Sequence, residues 1–334
     1  MPEETEHTVP PGSAPVAGID LGGTNMQIGV VRFTPGEDSP YRIIGREKRK
    51  TKAESGLDAI VDRMVRAVEA ACADARLTIA DLAAVGIGAP GAADPDTGVV
   101  LEAPNLRWTD IPLAEILAAR FGRPVVLEND VNAAIVGEAR FGAARGCTEV
   151  LGAWLGTGVG GGLLLDGKLR HGYFHTAGEL GHMHAMPLNP PGSRSLEHVC
   201  SRTAVVERLS RLIRANRPSR VPELVGGDLS KIKSSVLAQA YREGDLLTVE
   251  VVDHAAELLG AHLGSIHTLL SLQRIVLGGG LTEALGEPFV ELVAKHVRRV
   301  AFPDRAKAVE VVATALDDDA GLLGAAALAL DAVS

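Results

Sequence analysis

Two glycine-rich stretches, about one domain apart along the chain, are of a type that can hold a phosphorylated ligand. They cover residues 18–25, which read GIDLGGTN, and residues 156–162, which read GTGVGGG. Glycine has no Cβ and reaches positive φ, so backbone N–H groups in such loops can approach an anion closely. Together with a carboxylate between them, Asp130, they predict a nucleotide held between two domains and a group transferred from it.

Asp130 has the residue type and the place of a general base. It follows an apolar segment, 125–128, that reads as a strand, and it precedes a helical pattern over 131–141. The N-terminus of a helix keeps a carboxylate ionised. An ionised Asp can accept the proton of a hydroxyl that attacks a γ-phosphorus. The alternative at this stage is a simple helix cap, because Asp is favoured there.

Three further polar residues are candidates for contacts with a ligand. Asn129, beside Asp130, can both donate and accept hydrogen bonds. Glu179 and His182 are three positions apart, so a helical turn would place them on the same side. For His182 alone, a histidine satisfied by backbone groups in the core is the alternative.

The elements around the first glycine stretch form a hairpin. Residues 16–20 and 26–33 read as strands on either side of the turn. The Rossmann and P-loop fingerprints require a helix directly after the glycines, and this segment fits neither.

The rest of the chain alternates between helices and strands, and each half begins with a glycine-turn hairpin. This pattern predicts a duplicated α/β unit with a cleft between the copies. Ser55 is expected to cap the first helix. Further elements are predicted as helices at 57–72, 112–122, 203–215, 246–272 and 320–332, strands at 85–89, 150–155, 275–277 and 309–313, and a hairpin turn at 166–167.

Composition limits the class of protein. Hydrophobic residues make up 46% and aromatic residues 3%, so the cores must consist of Ala, Val, Leu and Ile. The net charge of −9 argues against a nucleic-acid surface, and the basic segment 46–52 is expected to be a solvated strand end or loop. No apolar run reaches the roughly 18 residues of a membrane helix. Residues 1–15 are expected to be a disordered tail, and the three scattered cysteines fit a cytoplasmic protein without disulfides.

Several motifs resemble known ones. Residues 19–25, 156–158 and 278–280 look like the phosphate and adenosine motifs of the actin-like ATPase and sugar-kinase fold. Residues 127–134, LENDVNAA, and 177–182, AGELGH, resemble the ROK family, which contains bacterial glucokinases, kinases of N-acetylated amino sugars and sugar-responsive repressors.

This resemblance extends from about residue 16 to the last helix. It implies an α/β fold of duplicated actin-like, RNase H-like ATPase domains with an interdomain cleft. The expected domains are 16–137 together with the helix 319–334, and 138–318.

The resemblance also implies roles for individual residues, with Asp130 as the general base. Asp20 would hold Mg²⁺ through water, or else be a structural residue bonded to the glycine turn. The sugar would be bound by Gly91, Asn105, Asn129, Asp130, Glu179, His182 and Glu197, although Asn105 could equally be a plain turn residue. ATP would be bound by Asp20, Gly22, Gly23, Thr24, Asn25, Gly156, Thr157, Gly158, Gly160, Gly161, Gly279 and Gly280.

The chain departs from the family at a zinc site. Many members follow the Gly-His motif with Cys-x-Cys-Gly-x-x-x-Cys, whereas residues 189–197 here contain no cysteine. Structural zinc needs four ligands, so no zinc is expected. A substitute site made of His182, His184, His198 and Cys200 is the alternative.

The expected function is that of an ATP-dependent hexose kinase that requires Mg²⁺, and the leading substrate is glucose. The near alternative is a kinase of N-acetylmannosamine or N-acetylglucosamine, and polyphosphate is an alternative phosphoryl donor. A sugar-sensing repressor would need an N-terminal helix-turn-helix, and only about fifteen residues precede the first strand. A non-catalytic relative of actin is disfavoured by Asp130, Glu179 and His182. The family also implies a homodimer, with no nucleic-acid or membrane partner.

Overall fold

The computed structural model describes residues 14–34 and 40–334, which form two compact units. The first contains the described residues up to Phe141 together with Asp319–Ser334, and the second is Gly142–Asp318. The first unit extends beyond residue 137, where sequence analysis placed its end, and contains the whole helix Asp130–Phe141. The tail predicted over 1–15 lies outside the described residues except for its last two.

The first unit contains a five-stranded sheet in the order β3-β2-β1-β4-β8 and a three-stranded antiparallel sheet, β5-β6-β7. In the larger sheet β1, β2 and β3 are antiparallel, whereas β1, β4 and β8 are parallel. The central parallel strands are almost fully buried, as expected for strands covered on both faces. The strands are β1 (Val16–Leu21), β2 (Asn25–Phe33), β3 (Tyr41–Lys50), β4 (Val85–Ala89), β5 (Ala92–Asp94), β6 (Val99–Ala103), β7 (Trp108–Ile111) and β8 (Val125–Asn129).

The helices of this unit that precede Gly142 are α1 (Leu57–Asp74), α2 (Leu113–Phe121) and α3 (Asp130–Phe141). The prediction that Ser55 caps α1 is wrong. Gly56 precedes the helix with a φ of 84° and no side-chain cap, while the Ser55 hydroxyl donates to the Lys52 carbonyl at 2.7 Å.

The second unit repeats the arrangement of the first sheet. Its strand order is β11-β10-β9-β12-β13, again with an antiparallel hairpin beside parallel strands. The predicted duplication of an α/β unit is therefore confirmed. The strands are β9 (Val150–Leu155), β10 (Val159–Leu165), β11 (Lys168–Leu169), β12 (Arg274–Gly278) and β13 (Glu310–Ala313), and the helices are α4 (Glu197–Cys200), α5 (Arg202–Arg214), α6 (Val221–Leu224), α7 (Ser234–Arg242), α8 (Leu246–Leu270), α9 (Gly280–Leu285) and α10 (Glu287–Val300).

The chain returns to the first unit with its last helix, α11 (Ala320–Asp331). This helix packs against α3 at glycines. An ideal Cβ on Gly324 would lie 1.7 Å from the Ala133 carbonyl oxygen, and one on Gly137 would lie 2.4 Å from that of Ala320. The two backbones can approach this closely only because neither glycine carries a side chain.

The basic segment near residue 46 is strand rather than loop. It forms the second half of β3, the edge strand of the first sheet, where the Arg46 guanidinium binds both carboxylate oxygens of Asp319 at 2.6 and 2.7 Å. Within the part of the chain that the structure describes, no helix combines the length and hydrophobicity needed to cross a bilayer.

Candidate active site

The register of the first sheet brings Asp20 and Asp130 to the same edge. Asp20, in β1, is paired with Gly88 in β4, and an ideal Cβ on Gly88 would lie 3.2 Å from the Asp130 Cα. Both carboxylates therefore lie where the parallel strands β1, β4 and β8 end. Open α/β sheets bind their ligands at this edge.

Hydrogen bonds fix Asp130 at the start of α3. Its Oδ1 accepts from the Val131 N–H at 2.9 Å and from Asn129 Nδ2 at 3.0 Å. The Asn129 Oδ1 accepts from the N–H groups of Val131 and Asn132, both at 2.9 Å, which is the geometry of a helix cap. Asn129 therefore caps the helix, and Asp130 is its first residue. The second N–H of Asn129 Nδ2 donates to the Gly91 carbonyl at 2.9 Å.

A buried carboxylate supports the same turn. Glu128 is 3% exposed, and its Oε1 accepts from the Asn129 N–H at 2.8 Å and from Asn132 Nδ2 at 3.0 Å. Sequence analysis gave no role to Glu128 or Asn132. An acidic residue at the end of an apolar strand was the available signal, because a carboxylate in that position needs polar partners.

Thr51 donates two hydrogen bonds to the first glycine turn. Its hydroxyl donates to the Gly22 carbonyl at 2.6 Å, and its N–H donates to the Thr24 carbonyl at 2.9 Å. Thr51 is completely buried, and sequence analysis gave it no role. Asn105 lies beside the turn, since its Cβ is 3.4 Å from an ideal Cβ on Gly23.

Asp20 faces the N-terminal turn of α11. An ideal Cβ on Gly321, the second residue of that helix, would lie 2.9 Å from the Asp20 Cγ. The positive end of the helix favours the ionised carboxylate. Asp20 is half-buried, and a carboxylate is a residue type suited to the water-mediated Mg²⁺ predicted from the sequence.

In the second unit, Glu197 is bonded to the second glycine loop. Its Oε2 accepts from the Val159 N–H at 3.0 Å, and an ideal Cβ on Gly158 would lie 2.2 Å from the same oxygen. The loop is also tied to α5, because the Arg202 N–H donates to the Gly156 carbonyl at 3.0 Å. Thr157, at the tip of the loop, is exposed.

Glu179 and His182 lie on a single 3₁₀ turn, in which the His182 N–H donates to the Glu179 carbonyl at 3.3 Å. Positions three apart eclipse one another in this helix type, so the two side chains share a side. Burial raises the pKa of the Glu179 carboxyl; His182 opposes this rise and the Glu197 carboxylate adds to it. The three predicted sugar-binding residues of this unit are therefore close enough to influence one another electrostatically.

Glycines allow close backbone contacts beside the strands of the second unit. An ideal Cβ on Gly161 would lie 2.4 Å from the Gly178 carbonyl oxygen, so β10 contacts the loop that carries Glu179. Gly279 has a φ of 83° and approaches the Leu155 backbone, where an ideal Cβ would come within 2.8 Å. Its neighbour Gly280, also predicted to bind the nucleotide, begins α9, and Gly160 is paired with Trp154 across the β9–β10 hairpin.

A cavity of about 560 Å³ lies inside the second unit. Thr157 of the glycine loop and Glu197 both line it, together with one side of α5 and His254 of α8. The same cavity thus contacts a residue predicted to bind phosphate and one predicted to bind sugar.

Comparisons with known proteins identify the family of this chain. The sequence profile of the ROK family matches residues 16–332. The chain belongs to the ROK family. It is 35% identical over 320 residues to a glucokinase of Thermotoga maritima and equally to one of Streptomyces coelicolor, covering 93% of this chain and 96% of each relative. A crystal structure of a ROK family glucokinase from Streptomyces griseus, in complex with glucose and AMPPNP, superposes with a TM-score of 0.82 at 33% identity, covering 95% of this chain and 99% of that one.

The substitute zinc site considered from the sequence consists of His182, His184, His198 and Cys200. Among the described residues, no group of three ligand atoms within 4.8 Å includes His182, His184, His198 or Cys200. Burial raises the pKa of the Cys200 thiol to about 12, and its Sγ donates to the Ala255 carbonyl at 3.3 Å. These residues therefore do not fit a substitute zinc site.

Backbone hydrogen bonds connect the two sides of the loop between Met183 and Leu196. The Leu196 N–H donates to the Met183 carbonyl and the Ala185 N–H to the Arg194 carbonyl, both at 2.8 Å. Ser195 Oγ and His198 Nδ1 are 2.6 Å apart. These bonds connect the segment that carries Glu197 to the loop after His182.

Proposed function

We propose that this protein is an ATP-dependent hexose kinase and that glucose is its acceptor. The observation that carries the proposal is the Asp130 carboxylate, held by hydrogen bonds at the carboxyl edge of the first sheet in a chain of the ROK family. The relatives named above are glucokinases, and their similarity extends over nearly the whole chain.

Asp130 would act as the general base. Its carboxylate accepts the proton of the sugar 6-hydroxyl as that oxygen attacks the γ-phosphorus of ATP. A new phosphorus–oxygen bond to the sugar forms while the bond to the ADP oxygen breaks, so the products are glucose 6-phosphate and ADP. The N-terminus of α3 keeps the carboxylate ionised for this step.

The two glycine turns would bind the phosphates of ATP through backbone N–H groups, assisted by the hydroxyls of Thr24 and Thr157. Asp20 would hold Mg²⁺ through water, and the cation would neutralise charge on the phosphates. Gly279 and Gly280 would allow adenosine to lie against the backbone.

Glu179, His182 and Glu197 would bind the sugar hydroxyls. Glucose is a neutral polyol, and carboxylates are strong acceptors for its hydroxyl protons. Such a site rejects analogues that lack one of these hydroxyls, because a buried carboxylate is then left unpaired. Gly91 and Asn105 would also contact the sugar, as the sequence motifs predict.

The proposal includes the cytoplasmic location and the homodimer expected from the sequence. ATP is available in the cytoplasm, and the three cysteines are free thiols. Light scattering on the purified protein measures the oligomeric state.

A coupled assay of ADP release over a sugar panel tests the proposed function. The panel contains glucose, mannose, N-acetylglucosamine and N-acetylmannosamine, each with ATP or tripolyphosphate as donor. We expect Mg²⁺-dependent turnover with the largest kcat/KM for glucose and ATP. A larger value for an N-acetylated sugar would reassign the substrate, and no turnover with any sugar would overturn the kinase.

A further inference from the structure

We infer that Thr51 positions the first glycine turn for phosphate binding. Thr51 is completely buried, so its side chain has no surface open to a ligand. The inference rests on the proposed function, in which residues 22–25 bind the phosphates of ATP. Thr51 acts on the nucleotide only through the backbone of this turn, which makes it a positioning residue.

The register of two strands brings Thr51 beside the turn. Asn25, at the start of β2, is paired with Lys50, at the end of β3. Thr51 follows Lys50 directly, and its N–H donates to the Thr24 carbonyl at 2.9 Å. Its hydroxyl donates to the Gly22 carbonyl at 2.6 Å. Thr51 therefore binds the turn at two carbonyls that are two residues apart.

The hydroxyl bond determines which way one N–H group of the turn points. A trans peptide is planar, and its C=O and N–H groups point in opposite directions. Because the Gly22 carbonyl points towards Thr51, the N–H of the same peptide, which belongs to Gly23, points away from it. Within the part of the chain that the structure describes, the N–H groups of Gly22, Gly23 and Thr24 form no hydrogen bond. Successive N–H groups of this kind bind anions, and Thr51 fixes the direction of the central one.

The functional consequence concerns the phosphates of the nucleotide. A donor that is held in place before the ligand arrives does not have to be ordered on binding. Without the Thr51 hydroxyl the Gly22–Gly23 peptide is free to rotate, and the Gly23 N–H spends only part of its time in the binding direction. Losing the hydroxyl should therefore weaken the binding of phosphates and leave the binding of sugar and of adenosine unchanged.

Two substitutions separate the hydroxyl from the packing of the buried side chain. Thr51→Val keeps the volume and loses the hydroxyl, whereas Thr51→Ser keeps the hydroxyl and loses a methyl group. In Thr51→Val we expect the KM for ATP to rise about tenfold, the effect of one hydrogen bond, and the KM for glucose to change less than about twofold. Thr51→Ser should keep the KM for ATP within about twofold of the wild type, although its melting temperature falls.

Thr248→Val is the matched control in the second unit. Thr248 is also completely buried, and its hydroxyl donates to Asp245 at 2.7 Å in the cap of α8. The control loses the same group from a similar environment, so its melting temperature should fall while its KM for ATP stays at the wild-type value. A tenfold rise in the KM for ATP in this control as well would attribute the effect to lost stability and overturn the inference.

Calorimetry of nucleotide binding without sugar tests the inference separately from turnover. Thr51→Val should bind ADP with Mg²⁺ about tenfold more weakly than the wild type but adenosine equally well, because adenosine carries no phosphate. Equal affinities of the two proteins for ADP would overturn the inference and leave the proposed kinase untouched. The same weakening for adenosine would also overturn it. A wild type that binds no adenine nucleotide would overturn both the inference and the proposed function.

Discussion

Glu179 is a carboxylate whose charge is disfavoured by its own surroundings. Burial raises its pKa above the ordinary value of 4.5, and the Glu197 carboxylate contributes to the rise. A raised pKa means that folding favours the protonated form. The resulting stability is present below pH 4.5 and is lost as the pH rises through the pKa of the folded state.

The Glu179→Gln variant should therefore be more stable than the wild type at neutral pH and weaker in sugar binding. We expect its melting temperature to exceed the wild-type value at about pH 7 and the difference to disappear at about pH 4. Calorimetry of the sugar-free protein at both pH values measures this. Glu115→Gln, at an exposed carboxylate of α2, is the control and should show no such difference. Equal melting temperatures for Glu179→Gln and the wild type at both pH values would contradict the account.

Position 158 requires a residue without a side chain, because the Glu197 carboxylate occupies the space beside it. In Gly158→Ala the new methyl group would lie 2.2 Å from Glu197 Oε2 and must displace it. We expect kcat/KM to fall about 100-fold, since small displacements of positioning groups have effects of this size. Gly156→Ala places the same methyl group in open space of the same loop and should lose much less activity. Equal losses in the two variants would show that the contact with Glu197 is unimportant.

At single positions, residue type indicated candidate polar side chains, but it did not indicate their hydrogen-bond partners. Asp130, Glu179 and Glu197 could be chosen from the motifs. That Asn129 caps α3 could not, because Asn129 and Asp130 are both favoured capping residues and only the backbone geometry distinguishes them. Thr51 was missed for a related reason: its partner, the Gly22 carbonyl, is distant in sequence.

At the scale of elements, the N-terminal turn of α11 lies beside Asp20, the carboxylate proposed to hold Mg²⁺. Gly321→Ala would place a methyl group 2.9 Å from the Asp20 Cγ. We expect a higher Mg²⁺ concentration for half-maximal activity and weaker Mn²⁺ binding to the enzyme–ADP complex by electron paramagnetic resonance.

Gly324→Ala serves as the comparison on the same helix. Its methyl group would clash with the Ala133 carbonyl of α3, which should destabilise the fold by about 1–3 kcal/mol. Its Mg²⁺ requirement should nevertheless match that of the wild type. If Gly321→Ala also lowers only the melting temperature, then Gly321 does not position Asp20.

Elements with strong periodicity were predictable, and short or amphipathic edge elements were not. Strands β4 and β9 match their predicted bounds because each is a short apolar run followed by Pro-Gly or Gly-Thr-Gly. The hairpin turn at Asp166 and Gly167 is also confirmed, since both residues have positive φ. The three-stranded sheet of β5, β6 and β7 was missed, because its strands have three to five residues and are only partly buried.

At the scale of the whole molecule, the last helix is part of the first unit, although it follows the second in sequence. Most residues of α11 are buried, and it packs on α3 and on the strands of the first sheet. A chain truncated after Asp318 should therefore be insoluble or melt far below the full-length protein. Truncation after Asp331 removes only exposed residues and should leave the melting temperature unchanged. A stable, active chain that ends at Asp318 would contradict this assignment.

The most direct test of the whole account is the turnover of Asp130→Asn with glucose and ATP. Asparagine matches aspartate in size but cannot accept the proton of the attacking hydroxyl. The account predicts that kcat falls about 10²- to 10⁴-fold, while glucose still binds to the variant in calorimetry. A variant with the turnover of the wild type would contradict the assignment of Asp130 as the general base.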